Sequence, residues 1–366
     1  MRLTFRRVAL ASLLSVACAA PRPAPRGTAL PYSFSGLLTR ERSLNRAFII
    51  ELYATWCAPC TTFEREVLHD DAVIRALKRI DFVRFDIDKE EGNRAMQSIG
   101  RVSIPAVFVV APDGRILDWE LGGHGVARFL LLIDEAADSN DEAALASARD
   151  DEPDAHLLLR AARRARALGF DHRALAIYDR VIARGGDENE PFRAEAAWDA
   201  LRLLNRQPGA KRDARQALHF ASEHPRSPRA VDALLAAALG GAPVMELESR
   251  FTEDVGCDDV HQLVGEAYSA LAAHAYDAAL LLAQAAVKKQ RDAMTLHVLA
   301  EVYHYRHEPA MAVQMGVRAV EQLRGNNALA TDVDRYRAAD GRPSPIVEML
   351  REQGVRDVQV LFGVPN

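Results

Sequence analysis

The stretch Phe48–Cys60, FIIELYATWCAPC, decides the reading of this chain. Its first six residues, FIIELY, are apolar but for one acid, Glu51, and they read as a buried strand. Burying an unpaired carboxylate is costly, so a strand that keeps one just before two cysteines points to chemistry. The cysteines, Cys57 and Cys60, stand three positions apart, and the chain has only two others, Cys18 and Cys257. Four cysteines in 366 residues do not make a disulfide-stapled scaffold. A four-thiolate zinc site needs a second such pair, and none is present, which leaves redox chemistry for this one. The length allows two domains, each with ample apolar residues for a core, and a net charge of -5 gives no electrostatic case for nucleic acid.

Outward from this stretch, residues 32–138 alternate strand and helix. The pattern predicts a helix over 36–46, a strand at 48–53, a helix from Cys57 toward Leu68 and a short helix over 72–77. It continues with strands at 82–86, 106–110 and 115–121 and helices over 93–99 and from Val126. WCAPC after a buried strand, then SIPAVFVV, PDGRIL and a glycine pair before the last helix, resemble the thioredoxin fold. LYATWCAPCTTFEREVLHDDAVIRAL is similar to the C-terminal thioredoxin-like domain of DsbD-type periplasmic reductases and to the short thioredoxin-like family.

The resemblance implies roles. Cys57, at a helix N-terminus where the thiolate is favoured, is the nucleophile, and Cys60 is the resolving thiol. Pro59 holds the turn and Trp56 covers one side of it. Glu51 stands where thioredoxins keep a buried acid, which implies a proton acceptor for Cys60; Glu64 matches a second acid of the DsbD-type domain. Pro105 is expected to be cis, with flanking backbone that pairs with an extended substrate. The competing readings are a water-facing Glu51, an ordinary solvated helix face at Glu64 and a plain strand entry at Ile104-Pro105. No cofactor is implied beyond the Cys57–Cys60 dithiol.

The first residues speak to compartment. MRLTFRR followed by VALASLLSVA reads as a signal peptide over 1–18, its apolar run too short to span a bilayer. Leu14–Cys18 resembles a bacterial lipobox, with Cys18 as the lipidated residue and the Pro-rich 19–31 as a tether; ordinary cleavage near Ala19 and an uncleaved anchor are the alternatives.

Residues 139–153 read as an acidic linker. Beyond it the chain is Ala-rich and helical, and Ala278 and Ala312, like Ala285 and Ala319, are 34 positions apart. With Leu296, Leu299, Ala300 and Tyr303 on the preceding helix, and Gly169, Ala174 and Tyr178 in an earlier hairpin, 154–324 resembles a degenerate tetratricopeptide array. Such a stack offers a concave protein-binding face, and 325–366 is a tail or cap. His297, Glu301 and His304 share a helix face; the expectation is an exposed polar surface rather than a metal site, because no further ligand is evident. Cys257 is expected to be buried.

The whole reads as an α/β thioredoxin fold followed by an all-α helical-hairpin solenoid. The expected function is an exported thiol-disulfide oxidoreductase of the bacterial periplasm, reductive because CAPC resembles the spacer of reducing thioredoxins. The expected partners are disulfide- or thiol-bearing exported proteins, an upstream protein electron donor and a protein on the repeat face, with membrane contact only through a lipid anchor. The alternative is a non-enzymatic adaptor or redox-sensing module that uses the thioredoxin-like domain for docking.

Overall fold

The computed structural model describes residues 33–353 apart from 101, 123–124, 149–153, 206–213, 256, 258–259, 324–328 and 340. The signal segment, Cys18, the Pro-rich tether and the last residues of the tail therefore lie outside the described residues.

The first half runs α1 (Phe34–Leu44), β1 (Phe48–Tyr53), α2 (Ala58–Phe63), α3 (Asp71–Ala76), β2 (Phe82–Asp86), α4 (Glu90–Ile99), β3 (Ala106–Val110), β4 (Ile116–Leu121) and α5 (Val126–Asp138). The strands form one sheet in the order β2-β1-β3-β4, with β1 and β2 parallel and the other pairs antiparallel. Helix α1 starts at Phe34, earlier than periodicity predicts, because the Ser33 hydroxyl accepts the Gly36 N–H and Glu91 accepts the Phe34 N–H at 2.8 Å. Helix α4 likewise starts at Glu90, where two acids in its first turn favour the positive end of the helix dipole.

Alternation along β1 divides the core into two layers. Phe48, Ile50 and Leu52 pack with Val83, Phe85 and Phe108 against Leu37 of α1 and Ala95 of α4. Ile49 packs on the other face with Val107, Val109, Phe63 and Phe129, beneath α2 and α5. Glu51, two residues after Ile49, belongs to this second face.

The second half is helical throughout its described residues. It comprises α6 (Glu142–Ser147), α7 (Ala155–Ala167), α8 (Asp171–Ile182), α9 (Glu190–Asn205), α10 (Ala214–Glu223), α11 (Ala230–Leu239), α12 (Glu248–Asp254), α13 (Val260–Ala272) and α14 (Tyr276–Lys289), then α15 (Ala293–Tyr305), α16 (Pro309–Gln322), α17 (Ala330–Ala338) and α18 (Pro345–Gln353). Helices pair as hairpins, α7 with α8, α10 with α11, α13 with α14 and α15 with α16. Ala278, Ala285, Ala312 and Ala319 are fully buried where these helices meet, as small residues between stacked hairpins must be. Gly169 turns α7 into α8 with a φ of 79°, a conformation that favours glycine.

Part of the segment expected to be a linker is structured. Residues 142–147 form α6, whose N-terminus is capped by the Asp141 side chain, and Ala144 and Ala148 are buried in the cluster built by α7 and α8. Its apolar face is only one turn long, too short to show as periodicity. Helix α17 extends the stack on α16, whereas α18 folds back onto α13.

The two halves are joined by buried arginines. Arg163 and Arg166 of α7 pair with Asp138 and Glu135 at the end of α5, and Arg164 donates to the carbonyls of Asn45 and Ser139. Arg202 of α9 donates to the Leu117 carbonyl, pairs with Asp118 at 2.6 Å and lies 4.5 Å over the Trp119 ring. Arg229 at the start of α11 also pairs with Asp118, and Asp232 pairs with Arg128 in the first turn of α5. Contacts thus climb the edge formed by β4 and α5, from the end remote from Cys57 toward the end that carries it.

Candidate redox site

Strand β1 ends at Tyr53, and the chain turns through Ala54–Trp56 into α2, so the first cysteine falls at the helix cap. Cys57 is the N-cap, its sulfur accepting the Cys60 N–H at 3.1 Å, and Pro59 occupies the first helical turn where its missing N–H costs nothing. The two sulfurs are at bonding distance, 2.15 Å. Both cysteines are buried, Cys57 at 4% and Cys60 at 2% exposure, so the difference in access between them is small.

Three further elements close around the pair. The Ile104–Pro105 bond is cis, and the Ile104 carbonyl lies 3.6 Å from the Cys57 sulfur. Gly122, after β4, donates to the Pro105 carbonyl at 2.8 Å. Trp56 is exposed, with its indole N–H donating to Asp88 at 2.8 Å, so the ring stands beside the cysteines instead of sinking into the core.

Glu51 is fully buried, which answers its strand-edge alternative. The register places it opposite Arg84 on β2, and the Arg84 guanidinium reaches both its oxygens, at 2.6 and 3.4 Å. The same guanidinium donates to Glu64 at 3.2 Å and lies 4.4 Å over the Tyr53 ring. Burial pushes the Glu51 carboxyl up, and Arg84 only partly offsets it. Glu64 opens a π-helical turn, Glu64–Leu68, that continues α2. This geometry brings Glu51 and Glu64 onto one cation beneath α2. Arg84 was not singled out in the sequence; the signal was a lone cation in an apolar strand, the same anomaly that marked Glu51.

Elsewhere, the expectation of an exposed face at His297, Glu301 and His304 is overturned. All three are buried, at 7%, 0% and 8% exposure, because Asp332, Arg335 and Tyr336 of α17, with the Arg342 carbonyl after it, bond to that face of α15. A further ligand-type residue is present: Asp332 of α17 lies 3.2 Å from His297 Nε2, and His297, Glu301 and Asp332 have their ligand atoms within 4.8 Å of one another. Arg335 pairs with both Glu301 and Asp332, so an arginine already supplies the cation there, while His304 bonds the Arg342 carbonyl at 2.9 Å. Cys257 is buried as expected, its sulfur 3.2 Å from Gln262 Oε1.

Among the comparisons with known proteins, the family match falls within the first half of the chain. Residues 37–112 match the thioredoxin-like family. The chain is 27% identical over 86 residues to the thiol:disulfide interchange protein DsbD of Pseudomonas fluorescens, covering 23% of this chain and 15% of that protein. It is 32% identical over 88 residues to DsbD 1 of Pseudomonas aeruginosa, again 23% of this chain and 15% of the relative. It is 31% identical over 93 residues to mitochondrial thioredoxin-3 of Saccharomyces cerevisiae, covering 25% of this chain and 68% of that protein. The chain thus spans only about 15% of the length of the DsbD relatives.

Proposed function

Because the chain belongs, through its first half, to the thioredoxin-like family, we propose that it is a reductive thiol-disulfide oxidoreductase working on exported proteins, its helical half serving to bind partners. The observation that carries this reading is the Cys57–Cys60 pair at the start of α2, flanked by the cis proline loop.

The reaction starts from the reduced pair. Cys57 as thiolate attacks one sulfur of a substrate disulfide, that bond breaks, and the second substrate sulfur leaves as a thiolate that takes up a proton. Cys60 then loses its proton and attacks the Cys57 sulfur, releasing the first substrate sulfur and leaving the Cys57–Cys60 disulfide. Two electrons pass from the protein to the substrate, and a second protein dithiol returns them in the same two steps. Glu51, buried on the α2 side of β1 with its carboxyl pushed up, is the acceptor for the Cys60 proton. Arg84 and Glu64 set the charge around it.

The extended backbone beside Pro105 pairs with the substrate chain, and Trp56 walls the other side. The helical hairpins resemble a degenerate tetratricopeptide array, which supports a partner-binding role. The lipobox-like Leu14–Cys18 supports a periplasmic lipoprotein. No described helix is long and apolar enough to cross a membrane. Insulin reduction by the full-length protein with dithiothreitol as electron source tests the activity: catalysis that Cys57→Ser abolishes supports it, and reduction no faster than dithiothreitol alone refutes it.

A further inference from the structure

The helical half reaches the first turn of α5. Gly122 donates to the Pro105 carbonyl, so the chain leaving β4 lies against the cis proline, and α5 begins four residues later at Val126. Arg128, in the first turn of α5 and 5% exposed, donates to the Pro228 carbonyl at 3.1 Å and pairs with Glu120 and with Asp232 of α11. The turn between α10 and α11 is thereby fixed on the first turn of α5 by ion pairs that water scarcely reaches. Since α7 meets the far end of α5, α9 the middle of β4 and α11 the near end of α5, each successive layer stands closer to the cysteines. Helices α13 and α14 pack on α11 and continue the array from there.

We propose that the α10–α11 turn, with the exposed Arg226 and Pro228, is a second wall of the substrate groove whose first wall is the Cys57 turn and Pro105, and that a polypeptide carrying the substrate disulfide rests against it. The proposal rests on the thiol-disulfide exchange reading and adds a contact surface for its substrate. A polypeptide paired with the backbone at Pro105 advances about 3.3 Å per residue, so within a few residues of its cysteine it meets the Arg128–Pro228 junction. It cannot escape sideways by adding a strand to β4, because Arg202 occupies the Leu117 carbonyl and Asp118 and Trp119 are covered by Arg202 and Arg229. The wall holds its position relative to α5 because buried ion pairs join the two.

The test uses the full chain carrying Cys60→Ser, reduced, freed of reductant and mixed with insulin. A photoactivatable benzoylphenylalanine is placed at position 228 or, as control, at position 170. Phe170 is 52% exposed in the α7–α8 turn, next to residues 166 and 167 that hold Arg115 at the far end of the sheet. The expected result is a mixed disulfide at Cys57 in both proteins, with light-induced cross-linking to insulin from position 228 and its loss at position 170. Mixed disulfide without cross-linking from 228, or with equal cross-linking from both positions, overturns the second wall. Absence of mixed disulfide from both overturns the exchange reading itself.

Discussion

Glu51 and Arg84 show how two charges can sit in one apolar layer. Each alone would be expelled, but the parallel register of β1 and β2 sets them side by side, and Glu64 accepts a further bond from the same guanidinium. Glu51→Gln keeps the shape and removes the proton acceptor. Attack by Cys57 is expected to persist while resolution by Cys60 slows on the order of 100-fold, the lower end of what a positioned base supplies, so mixed disulfide accumulates. Single-turnover kinetics with an unchanged resolution step would make Glu51 structural. Arg84→Met removes the contribution that draws the Glu51 carboxyl down, so the ionisation governing resolution is expected to move to higher pH, and this shift disappears in the Glu51→Gln background. The stability consequence has a definite sign. A carboxyl raised on folding binds its proton more tightly in the native state, so its contribution is greatest below the ordinary glutamate value of 4.5 and declines as pH rises through the native value. Denaturant titrations of the wild type and Glu51→Gln are therefore expected to diverge with rising pH, the wild type losing the more.

Among the elements, β4 and α5 carry the junction, and Asp118 is its centre. Burial alone would push its carboxyl up, but Arg202 and then Arg229 outweigh that cost and hold it well below the usual aspartate range. Its contribution is present above the ordinary value of 3.8 and is lost as pH falls toward the native value. Asp118→Asn leaves the buried Arg202 without its ion-pair partner and Arg229 with Glu195 alone, and the expected loss at neutral pH is about 3–5 kcal/mol, narrowing in acid. An unchanged denaturation midpoint at neutral pH would show that the Asp118 ion pairs contribute nothing to the junction. The strands and the cysteine turn were legible because their signals are local, an apolar run and a CxxC, whereas the cis proline was implied by the resemblance to the thioredoxin fold. Arg84, by contrast, acquires meaning only through a register that joins residues 33 positions apart. The arginines of α7 were illegible for a different reason: charges along a helix read as a solvated face, and only tertiary docking turns them inward. The same rule misled at His297, Glu301 and His304, where α17 supplies the cover.

At the scale of the molecule, buried ion pairs among the described residues join the redox centre to the helical array, so under the proposed function a partner held by the array meets Cys57 in a fixed orientation. The proposal of a periplasmic lipoprotein rests on the first residues of the sequence. Cys18→Ala is expected to move the protein from the membrane fraction to the soluble periplasmic fraction and to abolish lipid labelling; unaltered fractionation would set aside the lipoprotein reading. The central claim is that Cys57 takes the substrate and Cys60 releases it. Peptide mapping of the products formed when reduced Cys60→Ser and Cys57→Ser proteins meet a protein disulfide tests it most directly. The account predicts a stable adduct on Cys57 in the Cys60→Ser protein and none on Cys60 in the Cys57→Ser protein; an adduct on Cys60, or none on either, would contradict it.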